Sequence, residues 1–242
     1  MSWWARTRKN NQDNYDTEER LREKSRGFFQ FIGKRGLLVS LPGKGVSLSG
    51  LIKGDKLLDY FFQLTGRRHM DETVLTLVIP AVDLVSGNTI CFTNSDQVRE
   101  MERVTWEWNG YLCEAMMAGA SVPAIFAPRK VGRYLLVDGG VTDILPVNLL
   151  QAAGIQDVLA VDIAGDYEAP SDRSVMEVAS HSFSIMSGRL KECASAGEML
   201  LKPPLSPKAG LLTFEQMGGC MEQGYEYTRK MLPRIRKALN RM

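Results

Sequence analysis

The chain has 242 residues, 44% of them hydrophobic, enough to bury a core as one domain or at most two small ones. Its 30 Lys and Arg against 28 Asp and Glu leave a formal charge of +2, so no global field favours nucleic acid and no nucleic-acid partner is expected. The four cysteines, Cys91, Cys113, Cys193 and Cys220, form no C-x-x-C pair and have no neighbouring His, which argues against a zinc site or disulfide framework and fits reduced thiols in a cytoplasm.

Residues 1–26 read as a polar, highly charged segment without the apolar stretch of an export signal. Trp3 and Trp4 beside Arg6, Arg8 and Lys9 offer an alternative, contact with a membrane interface. No window reaches the roughly 18 apolar residues of a membrane helix. From Phe28 to Lys53 glycines break the pattern into loop and short elements.

Asp55 to Leu64 places Leu57, Leu58, Phe61, Phe62 and Leu64 at helical spacing, with Gly66 as a stop. The run TVLTLVIPAVDL from Thr73 reads as a buried strand, and the turn Ser86-Gly87-Asn88 leads into a second strand at Thr89 to Phe92 in a hairpin-like arrangement. Gly110 to Gly119 is helical, Pro123 marks a break, and Arg133 to Val137 is strand-like. A helix over about Pro146 to Ala153, the strand DVLAVDI and two longer helices, Asp172 to about Leu201 and Phe214 to about Leu239, complete the chain. This alternation predicts an α/β fold with a largely parallel central sheet covered by helices on both faces.

The strand ending at Val137 runs into Asp138-Gly139-Gly140. Loops at the carboxyl ends of strands are where functional groups collect in open α/β sheets. Two consecutive glycines permit positive φ and close approach of a backbone or ligand. Two readings stand on these residues alone. Asp138 caps a turn that the glycines fold, or it is a general base, which needs a nucleophile within about 2.6–3.2 Å.

The wider stretch ASVPAIFAPRKVGRYLLVDGGVTDILPV resembles the Asp-Gly-Gly/Ala region of patatin-like phospholipases, with their small-residue helix end and P-x-x-F-x-P turn. SLSGLIKGDKLLDYF and IPAVDLVSGNTICF resemble the middle segments of that family, and DVLAVDI, ECASAGEMLLKPPL and MEQGYEYTRKML resemble later ones. The resemblance runs from about residue 36 to the C-terminus. It implies an ester hydrolase acting on lipids through a Ser-Asp dyad, with Asp138 as the acid, Gly139 and Gly140 shaping the site floor, and no catalytic His or cofactor. His69 and His181 are accordingly read as packed or solvated. Ile125 and Phe126 are candidates to accept an acyl chain, and equally for plain packing.

The same family uses a G-G-G-x-R/K-G oxyanion loop and a G-x-S-x-G elbow, and these 242 residues contain neither. Ser47 and Ser49 lie in GVSLSG, where the second Gly is one position late, and Ser121 lacks it altogether. A helix-end cap is enough to explain Ser121. Gly33-Lys34-Arg35-Gly36 only faintly resembles an oxyanion loop, and Gly43-Lys44-Gly45 a phosphate loop. The expected organisation is therefore the charged segment 1–26 followed by a partial patatin-like domain, 27–242, lacking the family's N-terminal strands. A chain without the nucleophile is expected to be inactive alone. A noncatalytic lipid- or protein-binding relative is the alternative. The stretch Arg229 to Arg241 carries six cations and no acid, read either as complementing a helix dipole or as contacting an anionic membrane.

Overall fold

The computed structural model of the chain describes residues 52–163, 175–193, 199–206 and 216–239. The charged segment 1–26, Ser47, Ser49 and both glycine-rich loops upstream of them lie outside the described residues.

Helix α1 spans Asp55–Thr65. Leu57, Leu58 and Phe61 are half-buried, whereas Phe62 and Leu64 remain exposed, with the Arg67 guanidinium 5.8 Å from the centre of the Phe62 ring. The helix ends at Gly66, whose φ of 65° suits a residue without Cβ and whose N–H donates to Phe62 O.

The main sheet has five strands: β1 (Val78–Asp83), β2 (Thr89–Thr93), β3 (Val104–Glu107), β4 (Arg129–Val131) and β5 (Tyr134–Asp138), in the order β3-β2-β1-β5-β4. β1 pairs antiparallel with β2, as the hairpin signal implied, and antiparallel with β5 on its other edge. β2 and β3 are parallel, and β4 and β5 form a second antiparallel pair. The class is α/β, and the sheet is mixed. β3 and β4 carry no sequence signal, since four and three residues are too few to show a period of two.

Helix α2 (Leu112–Gly119) lies across β1, β4 and β5, and α1 packs onto α2. Met70, Ala81, Ile90, Phe92, Ala115, Ala118 and Leu136 form the core between these layers. Small residues on α2 bring its backbone close to the sheet, which is why the run reads AMMAGA.

Beyond the main sheet, α3 (Val147–Ala152) packs Val147, with Leu145, against Val158 and Ala160. Its last carbonyls are capped from the connection between β2 and β3: Arg99 N–H donates to Ala152 O at 2.8 Å and the Ser95 hydroxyl to Ala153 O at 2.8 Å. β6 (Leu159–Val161) pairs in parallel with β7 (Met199–Leu201). Helix α4 (Val175–Cys193) precedes β7, and α5 (Met217–Leu239) follows it. The sequence had placed residues 199–201 at the end of a helix. Pairing with β6 and burial of Met199 and Leu201 against Ile235 of α5 override that local preference.

Asp83, buried at the end of β1, ties the two edges of the strand together. One oxygen accepts the Leu135 N–H at 3.0 Å on the β5 side, and the other accepts the N–H and hydroxyl of Ser86 at 3.0 and 2.7 Å in the β1–β2 turn. Burial pushes its pKa up, but these hydrogen bonds outweigh it, and the carboxyl is held below its ordinary value. The folded state thus binds the ionised form more tightly than the unfolded chain does. That stability is present above the unfolded pKa of about 3.9 and is lost as pH falls through the lower folded value. Replacing Asp83 by Ala is expected to cost about 2 kcal/mol at neutral pH. Urea unfolding of both proteins should show the gap narrowing only below about pH 4, and a gap independent of pH would contradict this role.

Candidate active site

Pro80 is the middle of three residues, Ile79-Pro80-Ala81, in the central strand, where proline is unusual because it cannot donate to the ladder. Asp83 N–H donates to Asn88 O on the β2 side, so alternation directs position 80 towards β5. The β1–β5 register pairs Ala81 with Asp138, Val82 with Val137 and Asp83 with Leu136, and the ladder stops there. The next residue of β5 would have to bond to an N–H that Pro80 lacks. The chain therefore leaves the sheet at Asp138 and turns through a single 3-10 turn, Gly139–Val141.

The glycines serve space and not the positive φ expected of them, since neither is among the residues with positive φ. A Cβ on Gly139 would lie 2.5 Å from Pro80 O, a backbone atom that cannot step aside. A Cβ on Gly119, at the end of α2, would come within 3.0 Å of the same carbonyl. A Cβ on Gly140 would instead meet Asp138 Oδ1 at 3.0 Å. Gly139 fits the turn to the sheet, and Gly140 leaves the carboxylate room.

Asp138 is fixed by its backbone and by one side-chain contact. Its N–H donates to Ser121 O at 2.9 Å, and its Oδ1 accepts the Gly140 N–H at 2.6 Å. Among the described residues no other group donates to this carboxylate. Burial pushes its pKa up, and the Gly140 hydrogen bond only partly offsets that. The result is a half-buried, proton-seeking carboxylate at a strand exit. The reading of Asp138 as a turn cap is also realised, because that Gly140 bond caps the 3-10 turn.

Ser121 is fully buried, and its hydroxyl donates to Met117 O at 2.7 Å, closing the end of α2. Its contribution to the site is the carbonyl that holds Asp138. Ile125 is buried, and its carbonyl accepts the Ile52 N–H at 3.0 Å. Phe126 turns its ring towards Gly54, where an added Cβ would lie 3.4 Å from Phe126 Cδ1. Both residues pack within the protein. The His69 ring lies tilted against Tyr111 with ring centres 4.2 Å apart, and its backbone N–H donates to the Glu72 carboxylate. His181 sits on α4.

A second acid, Asp143, stands in the same stretch and was not singled out from the sequence. Burial raises its pKa against hydrogen bonds from the Asn148 side chain and the Leu145 N–H, and its own N–H donates to Gly139 O at 3.0 Å. With burial, its charge pushes the Cys91 thiol up to about 12, so that thiol stays protonated. Pro80 was also missed, and its signal was a proline inside a β-branched run. Elsewhere, Asp162 at the end of β6 is buried and holds Lys191 of α4 through both oxygens at 2.8 and 2.9 Å.

Among the described residues no group of three His, Cys, Asp or Glu could hold a metal ion, and no helix is long and apolar enough to cross a membrane. A hollow at the C-terminal end of α3, lined by Gln97, Arg99, Gln151, Gly154 and Gln156, shares no residue with the Asp138 turn.

The sequence model of the patatin-like phospholipase family matches residues 3–150, a range that contains the Asp138 turn. Uncharacterized NTE family proteins of Mycobacterium bovis and of two strains of Mycobacterium tuberculosis are each 24% identical to this chain over 134 residues. That alignment covers 55% of this chain and 33% of each relative, so the chain matches about a third of their length.

Gly139→Ala is expected to lower stability by about 3 kcal/mol or to prevent folding, because backbone must move. Gly140→Ala should fold with a smaller loss, displacing only the carboxylate; thermal melting of the two variants compares them. Asp138 works in the opposite direction. Its raised folded pKa means that ionisation opposes folding, a cost present at neutral pH and absent once pH falls below the unfolded value of about 3.9. Asp138→Asn should therefore melt higher than the parent at pH 7 and lose that advantage towards pH 4.

Proposed function

The chain belongs to the patatin-like phospholipase family, and from that premise we propose that it is the acid-bearing part of a lipid acyl hydrolase working through a Ser-Asp dyad. The observation that carries this reading is the state of Asp138: desolvated, held by one backbone N–H, and placed where the strand leaves the sheet. Such a carboxylate is a stronger base than a solvated one and retains lone pairs to accept a proton.

In this reading a serine hydroxyl passes its proton to Asp138 as its oxygen attacks the ester carbonyl carbon. The tetrahedral intermediate then collapses, the alcohol leaves with the proton from Asp138, and an acyl-enzyme remains. Water, deprotonated by the same carboxylate, cleaves the acyl-enzyme and regenerates the serine. Ser121 is not that serine, because its hydroxyl is buried and donates to Met117 O. The organisation that accompanies this proposal is a charged segment, 1–26, and a partial patatin-like domain, 27–242, whose nucleophile lies outside these residues. A cytoplasmic location with peripheral contact at a membrane belongs to the same reading, since the substrate is a lipid ester.

A second reading rests on one observation, the absence of G-x-S-x-G from all 242 residues. It makes the chain a noncatalytic relative that binds lipid or protein. Fluorophosphonate labelling followed by peptide mapping separates the possibilities. The 242-residue chain alone should take no label and hydrolyse no ester, and stoichiometric label at Ser47 or Ser49 would place the nucleophile within it. Joined to a G-x-S-x-G element in the same frame, it should hydrolyse a lysophospholipid, and Asp138→Asn should lower kcat by about 10²- to 10⁴-fold. Turnover unchanged by that substitution would remove Asp138 from the mechanism.

A further inference from the structure

Helix α5 buries one side and leaves a second apolar stripe outside. Tyr227, Met231, Ile235 and Ala238 pack with Met199 and Leu201 of β7, which fixes the helix on the protein. Met221, Tyr225 and Leu232 are 46%, 44% and 39% exposed. Their spacing of four and then seven residues aligns them along one line of the helix surface, roughly a quarter-turn from the centre of the packed side. Arg229 and Arg236 follow Tyr225 and Leu232 by four residues each and border that line, and both are exposed.

Charge along α5 is divided. Its acids, Glu222 and Glu226, lie in the first half, where Glu226 is 4.0 Å from Arg229. From Tyr227 to Leu239 there are five cations, Arg229, Lys230, Arg234, Arg236 and Lys237, and no acid. The helix dipole rewards cations only within the last turn, which holds Arg236 and Lys237. The other three lie beyond its reach, and of these Arg229 also pairs with Glu226.

We propose that this side of α5 is a docking face for an anionic lipid surface. Exposed Met, Tyr and Leu side chains suit the headgroup boundary, and the long stems of the bordering Arg229 and Arg236 let their charges reach lipid phosphates while the helix lies flat. The proposal deepens the lipid-hydrolase reading by naming the surface that brings the chain to its substrate, yet docking itself requires no nucleophile.

Co-sedimentation of the 242-residue chain with vesicles tests it. Binding is expected to vesicles of phosphatidylcholine with phosphatidylglycerol, to weaken with added salt, and to be slight on phosphatidylcholine alone. Arg229→Gln with Arg236→Gln should weaken binding about 30-fold, the worth of two cations at an anionic surface. Met221→Ser with Leu232→Ser should weaken it while leaving the salt dependence unchanged. All four positions are exposed, so circular dichroism and melting should match the parent. No binding to the mixed vesicles at low salt, or binding equal to the parent in the arginine double variant, would overturn the assignment. Self-association lost on Leu232→Ser with vesicle binding intact would overturn it too, giving the face to a second copy of the chain. Failure of the hydrolysis reading is seen separately, in labelling and turnover, because vesicle binding by this helix needs no nucleophile.

Discussion

The carbonyl of Pro80 is the point on which the Asp138 site is built. Proline in the central strand withholds one N–H from the β5 side, so β5 cannot extend past Asp138 as a ladder. The same residue's carbonyl is approached by Gly139 and by Gly119, positions where a Cβ would lie 2.5 and 3.0 Å away. A strand, a turn and a helix end therefore converge within van der Waals distance of one oxygen. Once they do, the Ser121 carbonyl just past α2 meets the Asp138 N–H, and the carboxylate emerges at a fixed place. Backbone groups set that place, so little side-chain freedom has to be frozen to hold it.

Three acids in this neighbourhood show how burial and hydrogen-bond donors together set the direction of a carboxylate's pKa. Burial raises the pKa of Asp83, but hydrogen bonds from Leu135, Ser86 and Val85 to its charged form outweigh it, and the balance is a lowered value. Asp138 has one such bond, and burial prevails. Asp143 has two and is still raised. Hydrogen bonds to a charged group are worth about 1.5–3 kcal/mol each, so the number of donors and the depth of burial together set the sign. A carboxylate left short of donors destabilises the fold, and such a cost is common where a group is kept ready to take a proton.

What the sequence made legible was local. Asp138-Gly139-Gly140 could be recognised because strand, acid and glycines are contiguous, and α1, α2 and the β1–β2 hairpin because each carries its own period or turn. The reason for the glycines was not legible. It lies in Pro80, on another strand, and appears only when β1 and β5 are in register. β7 was hidden for the same kind of reason: Met199–Leu201 is too short to show a strand period, and its partner β6 is distant in sequence. Asp143 was in plain view, but only burial and its effect on Cys91 distinguish it from a solvated acid.

The division of the core bears on how the Asp138 turn and α5 relate. The Asp138 turn rests on the layers around Ala81, Phe92, Ala118 and Leu136, within the span matched by the family model. α5 rests on Met199 and Leu201, beyond that span, in a cluster sharing no residue with the first. Between them in the sequence lie the α3–β6 cluster and the Asp162–Lys191 pair that fastens α4 to β6. Substitutions without shared partners tend to act additively, so the surface of α5 can change in charge or hydrophobicity without disturbing the backbone contacts that position Asp138. The acid's geometry is constrained by three elements at once, whereas the exposed Met221, Arg229, Leu232 and Arg236 are carried by a single helix.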